Sequence, residues 1–161
     1  MNHFVYTMPM GRITIAADDI GITEIHFGAQ KLPMPFEPSA LTNAAATQLQ
    51  EYFSGKRTRF DVPLHISGTE FQQAVWAEVA RIPYGETRSY AQIAQAIGKP
   101  SSYRAVGNAN NKNPVPIVIP CHRVIKSQGV LGGYAFGLKI KEYLLRLEAG
   151  DPGEVPARWM H

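Results

Sequence analysis

A change of hydrophobic period near residue 66 constrains the fold more than any other feature of this chain. Before it, short apolar runs are cut by turn signals. Phe4 to Met8 gives way to Pro9-Met-Gly11, Ile13 to Ala17 gives way to Asp18-Asp-Ile-Gly21, and Ile22 to Phe27 follows. This spacing predicts an antiparallel meander. Gln30 to Pro38 carries three prolines and reads as a loop. Ser39 has the place of an N-cap for a helix through Leu41, Ala45, Leu49 and Phe53, with Gly55 at its stop. A last strand is expected from Arg59 to Leu64.

His65 to Glu70 reads as a linker, and the pattern after it is helical. Thr69-Glu-Phe-Gln72 has the spacing of a capping box, and Phe71, Val75 and Val79 recur on one helical face. Ile82-Pro-Tyr-Gly85 ends that helix. A second box, Ser89-Tyr-Ala-Gln92, opens a short helix with Ile93, Ala94 and Ile97, stopped by Gly98. A further helix is expected over about Tyr103 to Ala109, so the pair forms a helix-turn-helix candidate. The last helix runs from about Leu138 to Leu147, with Ile140, Tyr143, Leu144 and Leu147 as its apolar stripe. Glu148 falls in its final turn, where the helix dipole disfavours a carboxylate. The expected class is α+β. A small α/β domain with a short antiparallel sheet spans 1–66, and a mostly helical domain spans 67–161.

Charge is distributed unevenly. Between residues 81 and 126 stand Arg81, Arg88, Lys99, Arg104, Lys112, Arg123 and Lys126 against the single acid Glu86. Such an excess suits a polyanion, although a solvated basic face has the same signature. No apolar run approaches the ~18 residues that cross a bilayer, and Met1 to Gly11 lacks the pattern of a signal peptide. A soluble, cytoplasmic chain without membrane partners is the expectation. Its one cysteine, Cys121, rules out an intrachain disulfide and a Cys-rich zinc site. The thiol is therefore packing or chemistry. His122 and Arg123 follow it directly, and cationic neighbours lower a thiol pKa. In an extended segment, however, adjacent side chains point to opposite faces. Contact between Cys121 and His122 then needs a bend, which prolines 114, 116 and 120 are able to set, or a bridging water.

Ile119-Pro-Cys-His-Arg-Val124 resembles the active-site motif of the O6-alkylguanine-DNA alkyltransferases. The flanks agree in order: Arg104-Ala-Val-Gly107, Asn113-Pro-Val-Pro-Ile-Val-Ile119, Gly133-Tyr134, Lys141-Glu-Tyr-Leu-Leu145 and Glu148. The resemblance is close over about 71–150 and looser before 65. It implies a winged helix-turn-helix-like second domain that docks in the minor groove of double-stranded DNA. It further implies single-use transfer of the alkyl group from a flipped O6-methylguanine, and also from O4-methylthymine, to Cys121.

The same resemblance assigns roles. His122, acting through a water, is the base, Glu148 orients it, and Asn113 is a hinge. Arg104 fills the space left in the base stack, with Ser102, Tyr103, Ala105 and Arg123 as further DNA contacts. Tyr90 presses on the phosphate and hydrogen-bonds the guanine. Tyr134 closes a pocket lined also by Ala135, Phe136 and Pro116. No cofactor and no metal are expected, and the protein is expected to act as a monomer, associated with the nucleoid when on DNA.

Two positions depart from the usual family pattern. Phe136 stands where glycine is common, which is expected to narrow the pocket against bulky adducts. Tyr103 stands where a small residue is common. Three other readings remain open at this point. A damage sensor needs an inert Cys121. A transcription regulator of this family needs an extra cysteine domain. A Cys-His hydrolase needs an oxyanion hole.

Overall fold

A computed structural model describes residues 1–126 and 130–151. Strands β1 (Asn2–Met8), β2 (Gly11–Ala17) and β3 (Ile22–Phe27) form an antiparallel sheet in the order β1-β2-β3. Phe4 pairs with Ile15, and Ile15 pairs with Ile25. From Ile13 to Ala17 the central strand is buried at every position, which is why it lacks the alternation of a strand with one wet face. Its one buried hydroxyl, on Thr14, donates to the Gly28 carbonyl at 2.8 Å.

Helix α1 (Ala40–Phe53) covers this sheet with Ala45, Leu49, Tyr52 and Phe53. Ser39 caps it as expected, in a box closed by the Thr42 hydroxyl. The strand expected over Arg59 to Leu64 does not form. Only one parallel bridge joins Leu64 to Ile22, flanked by Ile22 N donating to the Pro63 carbonyl at 2.8 Å. Pro63 has no N–H, so the ladder stops there.

Helix α2 (Glu70–Val79) and, after strand β4 (Arg88–Ser89), helix α3 (Tyr90–Ala96) both begin at the expected capping boxes. Helix α4 (Tyr103–Asn111) packs against both. Trp76 on α2 fixes α4 by donating its indole N–H to the Ala109 carbonyl at 2.8 Å. Cys121–Arg123 makes one 3-10 turn, followed by β5 (Val124–Ile125) and helix α5 (Leu138–Glu148). β4 and β5 pair in parallel, Arg88 with Val124 and Ser89 with Ile125. Two-residue strands carry no periodicity, so the sequence gives no sign of them. This pairing ties the entry of the helix-turn-helix pair to the cysteine turn. Apolar residues of both halves share one core, from Ile13, Leu49 and Tyr52 to Val75, Val106 and Leu144.

Candidate active site

Two asparagines shape the segment before Cys121. Asn113 is buried. Its Oδ1 accepts from Val115 N at 3.0 Å, and its Nδ2 donates to the Ile119 carbonyl at 2.8 Å. Ile119 N returns to the Val115 carbonyl at 3.0 Å. The chain is thus folded into a compact loop with Ile117 at φ 73°. A β-branched residue in this region costs about 1–3 kcal/mol, and burial of the Ile117 side chain helps hold it there. Asn110, at the end of α4, donates to the Cys121 carbonyl at 3.2 Å. The backbone of the cysteine turn is fixed from two sides before any side chain acts.

The 3-10 turn that starts at Cys121 brings His122 and Arg123 onto Glu148. The carboxylate Oε2 accepts from His122 Nε2 at 2.6 Å, from Tyr52 Oη at 2.6 Å and from Arg123 Nη2 at 2.9 Å. Oε1 accepts from Arg123 Nε at 2.8 Å and Gly85 N at 3.2 Å. Burial by itself raises the Glu148 pKa. The hydrogen bonds and charges of His122 and Arg123 outweigh it and hold the acid ionised, well below the usual carboxylate range. This network answers the adverse helix-end position of Glu148: the Arg123 guanidinium, an imidazole N–H, a phenol and a backbone N–H meet it there.

Burial pulls the His122 pKa down, against the pull of Glu148. The imidazole is therefore neutral near pH 7, with its one proton on Nε2, facing the carboxylate. Nδ1 is left as a bare lone pair, buried and without a partner among the described residues. Cys121 is 1% exposed, and burial raises its pKa, partly offset by Tyr134, Asn113 and Lys141. The expectation that flanking cations lower it is corrected. Burial decides instead: the Arg123 charge is taken by Glu148 and His122 is neutral, so the resting sulfur is a protonated thiol. Its S–H lies 3.5 Å from Tyr134 Oη.

Lys141 is buried on α5, two turns before Glu148. Its ammonium donates to the carbonyls of Val124 and Leu131 at 2.6 Å and of Gly133 at 3.2 Å, clamping the 131–133 loop onto β5. Burial brings its pKa down to about 8, against the opposing influence of the Cys121 sulfur. Tyr134 continues this loop. Phe136 packs edge-on against Tyr134 and against Phe27 of β3, each at 5.2 Å between ring centres. Phe136 therefore braces the Tyr134 wall from the first sheet.

Beside this wall opens a cavity of about 540 Å³ between α3, α4 and the 130–133 loop, lined by Tyr90, Tyr103, Arg104, Gly107, Lys126 and Gly133 among others. Its charged lining is cationic only. Tyr90 Oη reaches the Gly133 carbonyl at 3.4 Å. Gly132, at φ 71°, lets the loop come this close, since a Cβ there sits 3.2 Å from Tyr90 Oη.

On α4, Tyr103, Arg104 and Ala105 are exposed, with the guanidinium 6.0 Å over the Tyr103 ring. Ser102 precedes them and makes no side-chain capping bond. Ala135 is exposed beside Tyr134. Several expected positions differ. Arg123 is not a surface DNA contact, because it is buried and its guanidinium is taken by Glu148 and the Ile82 carbonyl at 2.7 Å. Pro116 is buried within the 113–119 loop, bridged to Ile119, and, like Tyr134, Ala135 and Phe136, does not line the cavity, so of the expected pocket residues only Tyr90 does. Tyr52, Gly85, Asn110 and Lys141 were not expected in the site. Lys141 alone left a sequence signal, a lysine seven residues before Glu148 and so near it on the helical wheel. Among the described residues, no group of His, Cys, Asp and Glu has the arrangement of a metal site.

Residues 70–150 match the family model of the 6-O-methylguanine DNA methyltransferase DNA-binding domain, and residues 1–66 match that of its ribonuclease-like domain. The chain is 49% identical over 156 residues to a methylated-DNA--protein-cysteine methyltransferase of Methanosarcina barkeri, covering 94% of this chain and 99% of that one. It is 43% identical over 158 residues to the constitutive protein of the same name from Bacillus subtilis, covering 92% and 96%. Among solved structures, OGT of Mycobacterium tuberculosis in complex with DNA is similar at 40% identity and a TM-score of 0.86, covering 94% of this chain and 96% of that one.

Proposed function

Because the chain belongs to the 6-O-methylguanine DNA methyltransferase family, we propose that it repairs DNA by direct reversal. It is a methylated-DNA--protein-cysteine methyltransferase that moves the alkyl group from O6 of guanine to Cys121 and acts once. The observation that carries the mechanism is the geometry of His122: Nε2 is held by Glu148, and Nδ1 is left buried without a partner in the residue next to buried Cys121. The thiol proton passes to Nδ1, through a water, and the resulting imidazolium is stabilised by Glu148. Sulfur then attacks the alkyl carbon. The S–C bond forms as the C–O6 bond breaks, and the leaving guanine gains a proton or a hydrogen bond from a phenol, Tyr90 or Tyr134. The thioether product has no S–H left to ionise and its S–C bond is not broken by the groups around it, so turnover stops.

The alkyl carbon lies inside a duplex and must be brought out, at a cost of a few kcal/mol. The exposed tip of α4 supports this step. Arg104 replaces the extruded base in the stack, while Tyr103, Ser102 and Ala105 lie along the backbone in the minor groove. Tyr90 and Tyr134 bound the pocket that receives the guanine, with Asn113 holding the loop between α4 and the cysteine. In this reading residues 1–66 form a supporting domain, residues 67–161 carry DNA and chemistry, and the protein works as a monomer. Among the described residues no helix is long and apolar enough to cross a membrane, in keeping with access to nucleoid DNA in the cytoplasm. The direct test is incubation of a duplex carrying O6-methylguanine with the purified protein. Guanine is expected to be restored in place with both strands uncut. A lesion that persists, or a cleaved strand, rejects the reading.

Phe136 sets a preference for small adducts. Its ring holds Tyr134 toward the sulfur, so Phe136→Gly both opens space and frees that wall. The ratio of benzyl to methyl transfer rates is expected to rise about tenfold in the variant, the scale of a small change in an apolar pocket. Single-turnover rates with O6-benzylguanine and methylated DNA measure it. Benzyl transfer that is unchanged or slower in the variant contradicts this role.

A further inference from the structure

Tyr52 reaches the Glu148 carboxylate from the other half of the chain. It sits on α1, is fully buried, and donates its hydroxyl to Oε2 at 2.6 Å across a separation of 96 residues. Its ring packs against Phe53 and Phe60 and stands 6.1 Å from Tyr84. Oε2 is also the oxygen that accepts from His122 Nε2, at the same 2.6 Å. Beside Arg123 Nη2, Tyr52 and His122 therefore compete on one carboxylate oxygen. Each stabilises negative charge there, and so each weakens the hold of that oxygen on the other's hydrogen.

We propose that Tyr52 is a positioning residue for alkyl transfer: its hydroxyl, brought by α1 onto Oε2, limits how strongly Glu148 stabilises the charged form of His122. The first half of the chain thereby tunes the base that deprotonates Cys121, besides supporting the second half. This rests on the transfer chemistry proposed above. The other titratable groups around the couple are Arg123 of the 3-10 turn, Tyr84 before β4, Lys141 of α5, and Cys121 and Tyr134 on the pocket side. None of these other than Arg123 makes a hydrogen bond to Glu148.

A tyrosine that merely fills the core has a hydroxyl whose loss changes stability and nothing else. The two cases separate in Tyr52→Phe, which keeps the ring. The titration of the His122 ring is followed by NMR in the full chain, beside the pH dependence of single-turnover methyl transfer. Removing the competing donor makes Oε2 more basic. The His122 midpoint and the acid limb of the rate profile are therefore both expected to move to higher pH, by about 0.5–1 unit. A 3-fluorotyrosine at position 52 is a stronger donor and is expected to shift both in the opposite direction. It also serves if Tyr52→Phe does not fold. Midpoints that stay in place in a folded variant overturn the proposal, whatever happens to thermal stability. If the unaltered protein transfers no methyl group, the repair reading fails, while the NMR titration still decides the role of Tyr52.

Discussion

Cys121→Ala abolishes transfer of methyl to the protein, leaves damaged DNA unrepaired, and still binds it. No other thiol exists in the chain, and the alkyl group needs a soft nucleophile at this position. The substitution removes one sulfur atom from a site that is 1% exposed, so stability changes by only about 1 kcal/mol. The exposed residues Tyr103 and Arg104, proposed to meet DNA, lie on α4, whose one bond to the cysteine turn, from Asn110, goes to the backbone carbonyl and survives the substitution. A gel-shift assay with methylated duplex is therefore expected to give the affinity of the unaltered protein, and a lesion assay to give none of its activity. Residual transfer in the alanine variant places the acceptor elsewhere and contradicts the mechanism.

Glu148→Gln is expected to damage both stability and chemistry. The carboxylate is the counter-ion of buried Arg123 and the acceptor for His122 and Tyr52. An amide of the same shape leaves the guanidinium charge buried and uncompensated, which costs about 3–5 kcal/mol. The amide NH₂ facing His122 also favours the wrong tautomer, with the proton on Nδ1 in place of the lone pair proposed to take it from Cys121. A loss of transfer rate of about 10²–10⁴-fold follows. Urea unfolding and single-turnover kinetics measure the two effects, and a variant within about 1 kcal/mol of the parent contradicts the account of the network.

The same network fixes the response to acid. Glu148 has a lowered pKa in the folded protein, so its contribution is complete above its ordinary value of 4.5 and is lost as pH falls below it. His122, also lowered, acts in the same direction from its ordinary value of 6.5 downward, because the unfolded chain takes a proton that the folded one refuses. Stability is expected to fall as pH drops from 7 to 4, and Glu148→Gln removes the part of this fall that lies below 4.5.

Local signals in the sequence were enough for the strands β1 to β3 and for the caps at Ser39, Thr69 and Ser89, because a hydrogen bond three residues away needs no tertiary context. Arg59 to Leu64 misled for the opposite reason. Its composition suits a strand, but a ladder also needs partners and a donor at Pro63. Arg123 misled because a cation next to the nucleophile is read as reaching toward sulfur or DNA. Its direction is decided by a 3-10 turn and by an acid 25 residues later. Tyr52 was invisible for the same kind of reason. In sequence it is an apolar-face residue of an amphipathic helix, and only the packing of α1 against the second half gives its hydroxyl a carboxylate to meet.

The central claim is that Cys121 accepts one alkyl group and keeps it. The measurement is incubation of the protein with an excess of duplex carrying O6-[methyl-labelled]guanine, followed by counting label on the protein and mapping it by peptide mass spectrometry. The account predicts a plateau at one label per molecule, all of it on Cys121. Label that goes on being released into solution beyond one equivalent, or that maps to another residue, contradicts it.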